Sequence, residues 1–345
     1  MNNASQIDRR RFLKHSAAAV AAAGLAPAAA SAAVPTGKTL TLADTIPARV
    51  FGKTGVRLPI LAYGGAALPK RWHNPLSHED RVKLVRYAYA RGLRYFDTAG
   101  NYMESQAILG EALQPMRDKV WLASKVETTN PSRVRRAVER CLKELRTDYL
   151  DLIQIHGTPG LQQMTVKRAM LVHAELAKLR NEGVVRFLGL TAHGYFDKAL
   201  ALIESDGFDQ CMLSYGYLPR GHDQVFSKRM IGLREQCLAS AHKRKMGIVA
   251  MKVIGAGILG GWARYVVPGF DRRRAGLLPA AAIRHVLQDK RVHMLCIGMR
   301  LKTDIDANVR TLAGDVTCTD ADRALLAEFG PLALKSDAMR KMRVE

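Results

Sequence analysis

The sequence predicts a single (β/α)8 barrel, the TIM-barrel class of α/β fold, and two observations carry that prediction. From about Ala48 onward, short apolar runs alternate with longer amphipathic stretches, and the candidate strands number eight. Strands alternating with helices make a parallel sheet covered by helices, and eight repeats let the sheet close on itself. The alternative is an open doubly wound sheet, but no Gly-x-Gly-x-x-Gly follows the first run, and that motif is the usual mark of such a sheet binding a dinucleotide.

The chain begins with an address. Asp8-Arg9-Arg10-Arg11-Phe12-Leu13-Lys14 leads into an alanine-rich stretch that closes on Ala30-Ser31-Ala32. A basic start, a mildly apolar middle and a small-residue end make a secretory signal. The arginine pair followed by Phe-Leu-Lys resembles a twin-arginine signal. Residues 1–32 therefore read as signal peptide, 33–47 as linker, 48–331 as barrel and 332–345 as a C-terminal tail. The twin-arginine export machinery is the implied partner, and the implied location is the periplasm or another exported compartment. Because that route carries folded proteins, a cofactor would be loaded before export.

The elements follow in order. Val50–Leu58 carries a Gly-Lys-Thr-Gly turn, which reads as a hairpin plugging the bottom of the barrel. The candidate strands are 60–63, 95–97, 120–124, 150–155, 187–190, 210–213, 248–251 and 294–297. Between them, stretches such as 79–90, 132–145, 168–181 and 228–243 repeat their apolar residues at helical spacing. Ser77-His78-Glu79-Asp80 and Pro131-Ser132 are helix starts, and Gly92, Gly183 and Gly247 follow helix ends. Gly255–Pro279 reads as a long loop at the catalytic face.

Composition excludes several functions. Lys and Arg total 53 against 31 Asp and Glu, a net charge of +22, and loss of residues 1–32 leaves about +19. The basic residues are scattered and are not interleaved with aromatics, so they predict no specific nucleic-acid site. No strongly apolar run is long enough to span a membrane. The five cysteines, at 141, 211, 237, 296 and 318, form no Cys-x-x-Cys pair and no metal-ligand spacing. They predict buried free thiols, with no disulfide framework, no metal and no iron–sulfur cluster.

Four polar residues fall where a parallel barrel keeps its reactive groups, at the C-terminal ends of strands and in the loops that follow. Asp97 ends the second strand, and Tyr102 follows in Gly100-Asn101-Tyr102. Lys125 ends the third, and His156 ends the fourth. The order Asp97-Thr98-Ala99 with Tyr102, then Ser124-Lys125, Asp151-Leu152, Ile155-His156 and Gly183-Val184-Val185-Arg186-Phe187-Leu188-Gly189 resembles the aldo-keto reductase family, from about Arg49 to Phe329.

That resemblance implies reduction of a small carbonyl substrate by a nicotinamide cofactor, with Tyr102 as general acid and His156 orienting the carbonyl. A tyrosine phenol in water ionises near pH 10, at about its ordinary pKa, and an ammonium nearby favours its ionised form. Lys125, held by Asp97, would supply that ammonium.

The resemblance also implies a cofactor site, with departures from the family pattern. Gly64 and Gly65 stand at the end of the first strand. Thr191 replaces a serine and Ala192 an asparagine that hold the carboxamide, so His193 would supply the missing donor. Gln210 matches an amide-binding glutamine. Met251 stands where many members stack a tyrosine on the ring, and Lys252 with the following glycines would meet the pyrophosphate. After the eighth strand come Gly298, Arg300, Asp304 and Asn308, the last matching an adenine-binding asparagine. Arg300 and Lys302 would favour NADPH, whereas Asp304 would favour NADH. Trp72, Tyr215, Tyr217 and Trp262 are candidates for the substrate wall. The alternative function is a cofactor-binding barrel with a regulatory or sensing role and little turnover. A polyanion- or envelope-binding protein is a third reading, suggested by charge.

Overall fold

The structure is a computed structural model, and it describes residues 46–344. The twin-arginine stretch and most of the linker lie outside the described residues. The chain enters through an antiparallel hairpin, β1 (Ala48–Val50) with β2 (Arg57–Pro59). Its turn drives Phe51 and Leu58 into the base of the barrel, where both are buried. There Phe51 meets Tyr95 and Trp121 edge-on, at ring separations of 6.0 and 5.9 Å. These aromatic pairs and the surrounding apolar side chains make the plug a packed layer of the core.

Eight parallel strands close the barrel. They are β3 (Leu61–Gly64), β4 (Tyr95–Asp97), β5 (Trp121–Val126), β6 (Leu150–Ile155), β7 (Val185–Ala192), β8 (Gln210–Ser214), β10 (Gly247–Met251) and β11 (Met294–Ile297), with a short β9 (Gln224–Val225) in the loop after β8. Their order around the barrel is β10-β11-β3-β4-β5-β6-β7-β8. Both faces of each strand are covered, which is why these segments read as apolar runs without strict alternation. Each predicted strand is present, with bounds differing by at most a few residues.

The outer layer consists of α1 (His78–Ala90), α2 (Ser105–Leu113), α3 (Val134–Glu144), α4 (Val166–Asn181), α5 (Phe196–Glu204), α6 (Lys228–Lys243), α7 (Ala263–Val266), α8 (Arg272–Leu287), α9 (Lys302–Ala313), α10 (Asp320–Leu334) and α11 (Asp337–Arg340). Side-chain caps fix several starts. Ser77 accepts from Asp80 N, Thr165 from Arg168 N and Ser227 from Met230 N, each satisfying an otherwise orphaned helix donor.

Two expectations need correction, and one open point is settled for the described residues. Gly255–Pro279 is not all loop. Asp271 caps α8 by accepting from Arg274 N at 2.8 Å, and Pro279 lies inside that helix. Gly247 does not close α6. Lys245, at φ 54°, takes the left-handed position, and Gly247 opens β10, where a Cβ would stand 2.7 Å from the Phe51 ring. The tail, whose conformation the sequence left open, is ordered. The helix α10 runs on to Leu334, and β12 (Arg343–Val344) pairs in parallel with β9. Leu326, Phe329 and Met339 pack with Leu259, Phe270 and Leu278 as a separate apolar cluster.

Candidate active site

The period-two geometry of the strands chooses which side chains enter the barrel. On β6 and the residue after it, Leu152, Gln154 and His156 share the inner face. Asp151 points outward, where Arg117 and Arg186 hold it at 2.9 and 3.0 Å. Two of the family-like stretches thus meet in a buried structural ion pair. On β4 and β5, Asp97 and Lys125 face inward and form an ion pair with each other. Lys125 Nζ also donates to Thr98 O at 2.7 Å, and Gln154 Nε2 donates to Asp97 Oδ1 at 2.9 Å. Gln154 was missed in the sequence, although its two-residue spacing from His156 was the available signal.

Tyr102 reaches the same point from the loop after β4. Its hydroxyl lies 3.4 Å from His156 Nε2, and Lys125 Nζ lies 4.8 Å from its ring centre. Asp97, Tyr102, Lys125 and His156 are therefore one cluster. Trp72 packs edge-on against Tyr102, with ring centres 5.3 Å apart. Arg300 Nη2 holds the Trp72 carbonyl at 2.9 Å.

The electrostatics of the cluster correct one expectation. Burial is the largest single effect on the Lys125 ammonium and opposes it, but Asp97 and, after it, Tyr102 together outweigh that penalty and hold the pKa above its ordinary value. Lys125 does draw the Tyr102 pKa downward, as expected, but burial of the phenol is the larger effect and the net shift is upward. Tyr102 is therefore a protonated phenol at neutral pH. His156 is pushed well below its ordinary value by burial and then by Lys125, so its imidazole is neutral. The arrangement brings a proton donor, a neutral imidazole and a buried ammonium to one point.

The remaining predicted site residues fall into groups. Thr191 Oγ1 accepts from Gly157 N at 2.7 Å, which leaves its hydrogen free to donate. Gln210 is buried on β8, and both polar atoms of its amide lack a hydrogen-bond partner. His193 Nδ1 lies 3.4 Å from Ser214 Oγ, and burial followed by Lys252 pushes its pKa well below the ordinary value. Met251, 8% exposed, ends β10 on the inner side. Lys252 follows at φ 62°, and its pKa is pushed down to about 8 by burial and by Arg220. Arg220 escaped the sequence reading. It is buried, and it reaches only the carbonyls of Gly221, His222 and Gly255 among the described residues.

Gly64, Gly65 and Gly298 have a packing role. A Cβ on Gly65 would stand 2.5 Å from Asp97 O, and one on Gly64 would stand 3.1 Å from Gly298 N. Asp304 caps α9, with its Oδ2 accepting from Arg300 N and Leu301 N at 2.9 and 3.0 Å. Asn308 lies on α9 against a cleft of about 360 Å³ lined also by Gly276, Pro279, Ala280 and Thr311. Tyr215 and Tyr217 do not wall the opening. Tyr215 donates to Asp289 at 2.8 Å, and Tyr217 packs against His285 and Gly330.

All five cysteines are free, and no group of residues suited to a metal ion occurs among the described residues. No helix among the described residues is long and apolar enough to cross a membrane.

A twin-arginine translocation signal sequence matches residues 6–26. L-galactose dehydrogenase of Arabidopsis thaliana is 30% identical over 155 residues, covering 41% of this chain and 47% of that protein. D-arabinose 1-dehydrogenase of Saccharomyces cerevisiae is 28% identical over 204 residues, covering 54% of this chain and 58% of that one. The chain thus spans about half the length of these curated relatives. The structure of an aldo-keto reductase from Klebsiella pneumoniae in complex with NADPH superposes with a TM-score of 0.62 at 18% identity, covering 83% of this chain and 95% of that one. That likeness establishes a shared fold. The aldo/keto reductase family description matches residues 60–328, most of the chain, and the protein belongs to that family.

Proposed function

We propose that this protein reduces aldehydes or ketones to alcohols, with a nicotinamide cofactor as electron donor and Tyr102 as general acid. The observation that carries the reading is the meeting of Tyr102, 3.4 Å from His156 Nε2, with the buried Lys125–Asp97 pair. A bound nicotinamide would supply the hydride. The Tyr102 phenol, kept protonated by burial, delivers the proton to the carbonyl oxygen. His156, neutral and adjacent, orients that oxygen. Lys125 steadies the phenolate that remains, and Asp97 with Gln154 fixes Lys125. Positioned proton transfer of this kind contributes roughly 10²–10⁴ in rate.

The residues fit the cofactor. The orphaned Gln210 amide suits a carboxamide, because a buried amide with both polar atoms unpaired is costly until a ligand satisfies it. Thr191 and His193 lie on the neighbouring strand end and complete that subsite. Met251 offers a polarisable face to a ring. Lys252 and the Gly255–Gly257 turn suit a pyrophosphate. Asn308 with its cleft suits the adenine. We favour NADPH over NADH because the surroundings are basic, and the Asp304 Oδ2 is engaged in capping α9. Arg300 and Lys302 remain beside it.

The signal sequence supports export through the twin-arginine machinery to the periplasm or another exported location. Oxidation of NADPH and of NADH by the chain from Ala33 onward, against a panel of aldehydes and ketones, tests the reading. Carbonyl-dependent turnover supports it. Cofactor binding without turnover of any carbonyl favours the regulatory alternative.

A further inference from the structure

The mouth of the barrel carries large exposed apolar side chains outside the cluster of Asp97, Tyr102, Lys125 and His156. Trp262 is 37% and Tyr265 75% exposed, and they sit in the connection after β10, Trp262 at the start of α7 and Tyr265 within it. Met103, 39% exposed, follows β4, and Leu301, 41% exposed, follows β11. The loop after β3 adds Trp72 and the exposed His73. The strands β10, β11, β3 and β4 are consecutive around the barrel, so these loops form one sector of the rim. Contacts tie them together. The His73 and Trp262 rings lie 5.9 Å apart, and those of Trp262 and Tyr265 lie 5.8 Å apart.

The same sector is cationic and unneutralised. Lys70, Arg71, Arg264, Arg272 and Arg273 are exposed, and none makes an ion pair among the described residues. Exposed arginines elsewhere are of both kinds, Arg135 and Arg323 pairing with Glu182 and Asp320 and Arg136 and Arg133 standing on the surface of α3 and the turn before it, so it is the gathering of five such cations at the barrel mouth that marks the sector. The acids of the sector are fewer than its cations, and those that cap a helix keep their charge. Glu104 pairs with Arg81, Asp271 caps α8 and Asp304 caps α9.

Rings with a polar edge, flanked by free cations, match the headgroup zone of a bilayer, where indoles and phenols settle and Lys or Arg meets anionic lipid. A contiguous apolar patch of this kind marks an interaction surface. We infer that the mouth sector formed by Trp262, Tyr265, Met103 and Leu301, with its five free cations, docks on an anionic phospholipid surface. Nucleic acid would answer the charge but not the exposed rings and aliphatic chains. The twin-arginine signal sequence also delivers the chain to a lipid bilayer. Docked in this way, the C-terminal face of the barrel that carries Tyr102 is turned to the membrane interface. The inference is independent of the proposed reduction.

The test is sedimentation with vesicles, using the chain from Ala33 so that the basic, apolar signal does not itself bind. The described barrel lies wholly within that chain. The vesicles contain either phosphatidylethanolamine with phosphatidylglycerol, or phosphatidylcholine alone. Binding to the anionic vesicles at low salt, with a blue shift of tryptophan emission that Trp262→Phe abolishes, supports docking. The double variant Arg272→Gln/Arg273→Gln should weaken partitioning about five-fold per charge removed, and Trp262→Ser/Tyr265→Ser should weaken it further with the circular dichroism unchanged. No binding to anionic vesicles, or binding that the aromatic double variant retains in full, overturns the inference. So does duplex DNA that binds at the same salt as tightly as the vesicles do.

Discussion

The Tyr102 hydroxyl stands 3.4 Å from His156 Nε2, although the two side chains follow different strands of the barrel. Both are neutral for the same first reason, since burial raises the pKa of the phenol and lowers that of the imidazole. A phenol that acts as an acid works only while protonated, so a raised pKa extends its working range upward. At saturating cofactor, kcat for carbonyl reduction should show no limb near pH 6.5, the ordinary histidine value, and no alkaline fall below about pH 10. A pH–rate profile checks this, and a limb near 6.5 would assign an ionising role to His156.

The buried pair beneath Tyr102 makes a different prediction. Lys125→Met leaves the Asp97 carboxylate buried without its cation, which should destabilise the fold by about 3–5 kcal/mol. Adding Asp97→Leu should restore much of that stability, because the stranded charge is gone, yet restore none of the turnover. Denaturant unfolding and a carbonyl assay on the same two proteins separate these effects.

The Asp97–Lys125 relationship was legible in the sequence because each residue ends a strand, and a parallel barrel collects such ends on one face. The strands themselves were legible because burial on both faces leaves continuous apolar runs. Other features were not. The start of α8 at Arg272 was hidden by Pro279, a residue that ordinarily argues against a helix interior. The pairing of β12 with β9 depends on a contact far apart in sequence, with no local pattern behind it. The upward shift at Tyr102 depends on how much solvent the fold removes, which spacing does not reveal. The capping role of Asp304 was hidden because Leu301, three residues before it, has no side-chain acceptor and so breaks the usual capping-box pattern.

Arg300 and Asp304 predict opposite behaviour. If Arg300 meets the 2′-phosphate, Arg300→Ala should raise the KM for NADPH about ten-fold or more while leaving the KM for NADH nearly unchanged. Asp304→Ala should lower stability by about 0.5–2 kcal/mol through loss of its cap, with little change in cofactor preference. Steady-state kinetics with both cofactors and a thermal melt decide the point.

Gly65 tests whether the glycines at the end of β3 serve packing or ligand. A Cβ there would stand 2.5 Å from Asp97 O and 2.7 Å from Ser105 Oγ, so Gly65→Ala should destabilise by about 1–3 kcal/mol through overpacking. It should also displace Asp97 and reduce kcat. An unfolding curve that matches the parent protein, paired with a raised cofactor KM, would instead give Gly65 a direct role in binding.

The most direct test of Tyr102 as the acid is carbonyl-dependent oxidation of NADPH and NADH by the chain from Ala33, with Tyr102→Phe in parallel and cofactor binding followed by fluorescence. Turnover should fall about 10²–10⁴-fold in the variant, with cofactor affinity unchanged. Undiminished turnover in Tyr102→Phe would contradict that assignment by removing the general acid from the reaction.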